Sequence, residues 1–447
     1  MARLLVIGGG PAGMAAASKA KREKPDLEVI VAEAGKYVSF ALCGIPYYLA
    51  GVVKDINELV HYTPEYFREK RKIDVRIKTK VTSVDFSGKK AILEYENGRE
   101  EEVEWDYLVI ATGAKPRTFP LPGLDLEGIY TIRSLDDAVI IKEAAKKAEK
   151  VVIVGGGYIG LEVAEAFRIL GKKVTVIEAL DHVLPNVDKD IADYVEEELR
   201  RNGIEIKKEQ KVVGFEGNGK VRKVLTEKGE YEADLVIFSV GVVPNTDLFR
   251  DSPLEFGFKG AIRVNERMET NIEGVYAVGD VATVKNIVTG KEDWIALAQI
   301  ANKMGRVAGA NIAGLEMSLP GVAGTAFIKV FDLEVGRTGL TEFQAKKLGY
   351  NVESIVVKSV TKPKYYPGWK NIVVKILYDS ESKKILGAQA VGGEGVSMRI
   401  NAIATALYAK LTVDELFNID FGYAPPFAPV WDPLVVASSL ALRRKKV

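Results

Sequence analysis

The chain has 447 residues, room for about three domains at roughly 150 residues each. Apolar residues make up 47% and charged ones 28%, with 62 Lys+Arg against 61 Asp+Glu and a formal charge of +1. That is the composition of a globular enzyme, and the balanced charge excludes general affinity for nucleic acid or acidic membranes. One cysteine excludes an internal disulfide and an all-cysteine zinc site. Two histidines, His61 and His182, leave too little for a histidine metal cluster or a Ser-His-Asp hydrolase, and no metal site is expected.

In chain order, MARLLVIGGGPAGM reaches Gly8 too early for the apolar region of a secretory signal. The longest uncharged stretch, Tyr37 to Val53, is broken by Gly44, Pro46 and Gly51 and falls short of a membrane span. A reducing, cytoplasmic location is expected. Scarce glutamine beside abundant Lys, Glu, Ile and Val leans toward a thermophilic source.

An internal repeat organises the first half. Residues 4–33 (LLVIGGGPAGMAAASKAKREKPDLEVIVAE) and 151–178 (VVIVGGGYIGLEVAEAFRILGKKVTVIE) share one plan of strand, glycine turn, helix and strand. Gly8, Gly10 and Gly13 have the same spacing as Gly155, Gly157 and Gly160. The first glycine of each set permits the tight turn, the second lets backbone N–H groups approach a pyrophosphate, and the third allows close helix–strand packing. Glu33 and Glu178, each closing the next strand, are placed to accept hydrogen bonds from a ribose diol. Two complete copies predict two dinucleotide sites.

The runs WDYLVIATGAKPR (105–117) and EADLVIFSVGVVPNT (232–246) read as strands returning to each sheet beside its glycine turn. TNIEGVYAVGDVA (270–282) ends a strand at Gly279-Asp280. An Asp there suits a polyhydroxyl chain such as ribitol, although an isolated Gly-Asp would default to a helix cap. From about Gly324 alternating strands precede a helical stretch, 398–417, and the aromatic tail FGYAPPFAPVWDP (421–433). An exposed aromatic segment usually covers something, so this region is expected to make subunit contacts. The fold class is α/β: two Rossmann-like dinucleotide-binding domains plus a C-terminal α+β dimerisation domain. The expected boundaries are 1–117 with 250–323, then 118–249, then 324–447.

Cys43 lies in YVSFALCGIPYYL, ten residues after Glu33. Gly44 and Pro46 read as the start of a helix, whose dipole would favour a thiolate. A nicotinamide delivers a two-electron hydride, and a flavin usually mediates between hydride and sulfur. With a single cysteine the oxidised form must be a mixed disulfide, a persulfide or a sulfenic acid. The second atom therefore comes from the substrate: a small disulfide, a persulfide, or a peroxide or oxygen.

The motifs GGGPAG with Glu33, SFALCGIPYY, ATGAKPR, GGGYIGLE, SVGVVPNT and YAVGDVA carry a resemblance that covers essentially the whole chain. The sequence resembles the pyridine nucleotide–disulfide oxidoreductases, and within them the single-cysteine branch of coenzyme A-disulfide reductases, NADH oxidases and NADH peroxidases. The resemblance implies a homodimer with FAD at the first repeat and NADH or NADPH at the second. It assigns Gly8, Gly10, Pro11, Ala12, Gly13, Glu33, Ala34, Val81, Ala111, Thr112, Gly113, Arg133, Gly279, Asp280 and Ala298 to FAD. NAD(P)H falls to Gly155, Gly157, Tyr158, Ile159, Gly160, Glu162, Glu178 and Gly241. Glu178 would repel a 2′-phosphate and favours NADH, with Lys172 and Lys173 near enough to leave NADPH open.

The branch that uses a CxxxxC pair is excluded, because Cys43 is alone. Peroxidase and oxidase members generally carry a His in the first glycine loop, where this chain has Gly10-Pro11. Disulfide-reductase members bring two tyrosines to the sulfur from the partner subunit; the matching positions are Tyr365, with Tyr366 adjacent, and Tyr423. A phenol there could protonate a leaving thiolate. Coenzyme A, with its phosphates, would meet Arg22, Arg71 and Arg306 along with Ala15, Lys19, Ser39, Phe40 and Leu42. The implied activity is reduction of coenzyme A disulfide through Cys43–S–S–CoA, and no appended sulfurtransferase domain is expected. An NADH oxidase or a polysulfide or CoA-persulfide reductase is the same-class alternative, and a flavoprotein electron carrier the different-class one.

Overall fold

A computed structural model describes residues 2–444. The described chain forms two compact units. The first comprises the chain up to Arg117, Arg133–Asp136 and Val242–Val322. The second comprises Thr118–Ile132, Asp137–Gly241 and the chain from Ala323.

The first unit is built on a five-stranded parallel sheet in the order Val275–Ala277, Tyr107–Ile110, Arg3–Ile7, Glu28–Ala32, Asp74–Arg76. Leu4, Leu5 and Val6 have no exposed surface, as expected of a strand covered on both faces. The helix Pro11–Glu23 leaves the first strand through the glycine turn, with proline in its first turn. It packs against the helix Ala298–Ile312, where a Cβ on Gly305 or Gly309 would collide with the Ala12 or Ala16 carbonyl. Small residues thus bring the two backbones into direct contact. The Ala114–Pro116 strand pairs antiparallel with Val242–Pro244, so residues 242–249, grouped with the second repeat by sequence pattern, fold with the first unit.

The second unit repeats the parallel sheet: Glu205–Lys207, Lys173–Ile177, Lys150–Val154, Leu235–Phe238, Ile129–Tyr130. Its last edge strand precedes the repeat in sequence, whereas the first unit's equivalent edge, Val275–Ala277, follows it. Onto this unit folds an antiparallel sheet ordered Ala326–Val330, Leu333–Gly339, Ile385–Gly392, Asn371–Asp379, Val352–Val360. The helices Val396–Tyr408 and Pro433–Arg444 pack on it.

A buried charge cluster joins the repeat to this sheet. Lys375, with 5% of its side chain exposed, places Nζ 2.9–3.1 Å from Asp188, Asp190 and Glu342. Asp188 stands at the N-cap position of the helix Lys189–Arg201 without capping it. Its carboxylate instead accepts from the Glu342 and Phe343 N–H groups, at 3.0 and 3.3 Å, at the start of the helix Glu342–Lys347. Sequence pattern separates these two regions into domains; this cluster holds them in one unit.

Candidate active site

The two glycine turns are superimposable in their chemistry. Gly8 and Gly155 have φ of +107° and +104°, and a Cβ on either would strike the carbonyl of Ala111 or Ser239 on the neighbouring strand. A Cβ on Gly13 or Gly160 would strike the Gly8 or Gly155 carbonyl, which fixes how closely each helix approaches its strand. By contrast, a Cβ on Gly10 or Gly157 would meet nothing within 4 Å. Both are N-cap residues whose helices have no side-chain cap and no acidic residue in the first turn. The open space and uncapped N–H groups form an anion cradle, and a pyrophosphate fits it.

The two acidic partners match as well. Glu33 accepts from Gly9 N–H at 2.6 Å and from Gly35 N–H at 2.7 Å. Glu178 accepts from Gly156 N–H at 2.7 Å and from Leu180 N–H at 2.9 Å. Each carboxylate is therefore locked against its own glycine turn, with lone pairs left for a ribose diol.

Around the first turn, Thr112 donates to the Asn245 carbonyl at 2.7 Å, and Asn245 N–H donates to Gly113 at 2.9 Å. Burial pushes the Asp280 carboxyl up, against the pull of Arg133. Burial likewise pushes Arg133 down, against Asp280 and Glu33. The Trp294 indole N–H donates to the Asp280 carbonyl at 2.8 Å. Val81 is buried in the strand Thr79–Asp85, Ala34 is exposed just past Glu33, and Ala298 begins its helix exposed.

At the second turn Ile159 is 38% exposed, and Gly241, at φ +99°, faces open space. Tyr158 has its phenol pushed up by burial. Burial and the neighbouring Glu165 push the Glu162 carboxyl up to about 7. Glu165 itself accepts from Phe331 N–H at 2.9 Å. A carboxyl with that value is about half protonated near neutral pH, so it can donate or accept a hydrogen bond there.

Cys43 is exposed and lies in the 3-10 turn Leu42–Gly44, ahead of the five-residue helix Ile45–Leu49 capped by Gly44. The expected helix exists but is short, and the cysteine precedes its cap, so dipole assistance is smaller than the sequence suggests. The turn is instead anchored by its neighbours. Ser39, at φ +51°, donates its N–H to the Gly9 carbonyl at 3.0 Å, so the cysteine loop is tied to the first glycine turn. Phe40 bridges antiparallel to Val60, and His61 N–H donates to the Ser39 carbonyl at 2.9 Å. Sequence reading missed this flanking segment, because no periodicity announces a single bridge.

The cations expected to meet coenzyme A all belong to the first unit. Ala15, Lys19 and Arg22 share one face of the helix Pro11–Glu23, spaced as i, i+4 and i+7. Lys19 and Arg22 both reach Glu23, at 2.8 and 3.3 Å. Arg306 is exposed on the packed helix Ala298–Ile312, its Nε 3.1 Å from Asn302. Arg71 lies over the rings of Tyr62, Tyr66 and Phe67, 5.5–5.6 Å from each centroid, rather than extending into solvent. In the second unit the hydroxyls of Tyr365 and Tyr423 lie 3.2 Å apart. Tyr366 instead carries Lys362 over its ring.

Residues 2–305 match the pyridine nucleotide-disulphide oxidoreductase family, and residues 325–434 match its dimerisation domain. The chain belongs to this family. It is 48% identical over 436 residues to the NAD(P)H sulfur oxidoreductase (CoA-dependent) of Pyrococcus abyssi, covering 97% of this chain and 96% of that one. It is 45% identical to the NAD(P)H coenzyme A polysulfide/persulfide reductase of Pyrococcus horikoshii, covering 97% of each. Among solved structures, the NAD-dependent persulfide reductase from A. fulgidus superimposes with a TM-score of 0.97 at 38% identity, covering 99% of this chain and 83% of that chain.

As a member of the family the protein is an FAD-dependent NAD(P)H oxidoreductase carrying a dimerisation domain. Both cradles described above fit those cofactors. Among the described residues no helix is long and apolar enough to cross a membrane, and no His, Cys, Asp and Glu cluster could hold a metal ion.

Proposed function

We propose that this oxidoreductase reduces a sulfur–sulfur bond carried by coenzyme A, either coenzyme A disulfide or its persulfide, with Cys43 as nucleophile. The observation that carries the reading is the single exposed cysteine, tied through Ser39 N–H to the first glycine turn. The relatives named for CoA-dependent sulfur and persulfide reduction support the choice of substrate.

Glu33, Arg133 and Asp280 would hold FAD at the first cradle; Glu178, Tyr158 and Glu162 would hold NAD(P)H at the second. FAD, when bound, accepts two electrons from NAD(P)H and supplies them for sulfur reduction. The Cys43 thiolate attacks the substrate S–S bond, forming Cys43–S–S–CoA and expelling CoA thiolate from the disulfide or hydrosulfide from the persulfide. Two electrons and one proton then release CoA thiol and restore the Cys43 thiolate. Ser39, Phe40 and Leu42 would line the pantetheine path, and Ala15, Lys19, Arg22, Arg71 and Arg306 would receive the nucleotide end. In a homodimer we assign Tyr365 and Tyr423 to the partner's sulfur, where a phenol donates a proton to the leaving thiolate. A reducing cytoplasm would keep Cys43 in its working state.

Anaerobic NAD(P)H consumption by the FAD-loaded protein tests this, with coenzyme A disulfide and coenzyme A persulfide as separate acceptors. Turnover with either, abolished in Cys43→Ser while FAD stays bound and reducible, is the expected result. Undiminished turnover in Cys43→Ser would overturn it. Turnover only with oxygen or peroxide would make the protein an oxidase or peroxidase.

A further inference from the structure

Residues Arg133–Asp136 fold with the first unit, although the stretches on either side, Thr118–Ile132 and the chain from Asp137, fold with the second. Contacts hold this short strap at both of its ends. At its inner end, Arg133 lies in the field of both Glu33 and Asp280. Gly113 leaves room for it, since a Cβ there would come within 2.7 Å of the Arg133 guanidinium. At its outer end, Asp136 pairs with Lys36, and neither side chain is buried. Lys36 belongs to the loop that follows Glu33. That loop is firm: Gly35 N–H donates to Glu33 at 2.7 Å, and the Gly35 carbonyl accepts from Lys78 N–H at 2.8 Å.

An arginine between two carboxylates that flank an anion cradle is suited to countering a pyrophosphate. A guanidinium engaged with the FAD phosphates would have to let go before FAD leaves, and the strap that carries it is held at its outer end by the Lys36–Asp136 ion pair. We propose that Lys36 and Asp136 form a clasp that holds the Arg133 strap over the first dinucleotide site and sets the rate at which FAD is released. The clasp acts on retention of the flavin, so it does not depend on which sulfur acceptor the enzyme uses. Neither Lys36 nor Asp136 belongs to the binding or reacting groups named above. An exposed pair is worth a factor of about two to five in such an equilibrium, so the clasp modulates release rather than governing whether FAD binds.

The test is FAD release from the holoenzyme after dilution, followed as free-flavin fluorescence in rapid filtrates. Lys36→Met and Asp136→Asn are each expected to speed release about two- to fivefold. The double variant should be no faster than either single one, because one pair is lost in all three. In 1 M salt the difference from wild type should vanish. A simple field effect of Lys36 on the flavin phosphates predicts opposite signs, faster release in Lys36→Met and slower in Asp136→Asn, and would overturn the clasp. Unchanged release in either single variant, or additive effects in the double, would overturn it too.

Discussion

The hydroxyls of Tyr365 and Tyr423 meet at 3.2 Å, although 58 residues separate them in the chain. Tyr365 follows the strand Val352–Val360, and Tyr423 lies in the irregular tail between the helices Val413–Phe417 and Pro433–Arg444. They are 73% and 46% exposed, so the pair faces outward. The hydrogen bond to Tyr423 pushes the Tyr365 phenol up, and one hydroxyl hydrogen of the pair stays available to an outside acceptor.

If the two phenols act as one donor, their losses will not add. Tyr365→Phe and Tyr423→Phe should each lower turnover with coenzyme A disulfide by about a hundredfold or more. The double variant should be no slower than the worse single one. Tyr366→Phe should be near wild type. Multiplicative losses in the double variant would show two independent groups instead of a pair.

The glycines of the two turns predict contrasting failures. Gly8→Ala and Gly155→Ala should fail to fold their sheets, because φ above +100° and a neighbouring carbonyl both exclude a Cβ. Gly10→Ala and Gly157→Ala sit at φ of −70° and −79° with open space beyond, so the chain should fold and only the cradles should suffer. Flavin content after purification should fall in Gly10→Ala. In Gly157→Ala it should stay normal while KM for NAD(P)H rises about tenfold or more, the loss of roughly one charge-assisted contact. Equal flavin loss in both variants would contradict the assignment of one cofactor to each cradle.

Glu162 links stability to pH. Its carboxyl titrates near 7 in the folded chain, pushed up by burial and by Glu165, against 4.5 ordinarily. Between those values the folded chain holds the extra proton, so stability falls as pH rises from about 4.5 to about 7. The loss is about 3 kcal/mol at most. Glu162→Gln stays neutral throughout. Without NAD(P)H, its Tm should match wild type at pH 4.5 and exceed it by a few degrees at pH 8. A variant that melts below wild type at pH 8 would mean that the ionised carboxylate is stabilising after all.

The Lys375 cluster predicts the opposite trend. Against burial, hydrogen bonds from Lys346 and Lys375 hold the Glu342 carboxyl down at about 2. A depressed carboxylate adds stability that is full above its ordinary value and is lost as pH falls toward 2. Lys375→Met leaves Asp188, Asp190 and Glu342 without their shared cation, and removing one partner of such a buried set costs roughly 3–5 kcal/mol. The Tm deficit should be widest at neutral pH and narrow below pH 4, as the carboxylates take up protons. A deficit independent of pH would point to lost packing around the lysine stem rather than lost charge.

The two glycine turns, and the one cysteine that the proposed chemistry can use, were legible before any folding was considered. Glycine spacing encodes backbone geometry directly: a residue at φ above +100° or pressed against a carbonyl can be nothing else. The strand-end positions of Glu33 and Glu178 follow from the same local plan, and both carboxylates fold back on their own glycine turns. Counting one cysteine required no structure at all. Tertiary structure alone decided what depends on distant partners. It brought the Tyr423 hydroxyl to Tyr365 and laid Lys362 over the ring of Tyr366. It moved residues 242–249 to the first unit, where Val242–Pro244 pairs with Ala114–Pro116 and Asn245 bonds to Thr112 and Gly113, and it turned the Asp188 carboxylate from its own helix to another. It also set Arg71 on three aromatic rings and brought Asp136 to Lys36. None of these has a period or a spacing, because each is a contact between residues that meet only once the chain has folded.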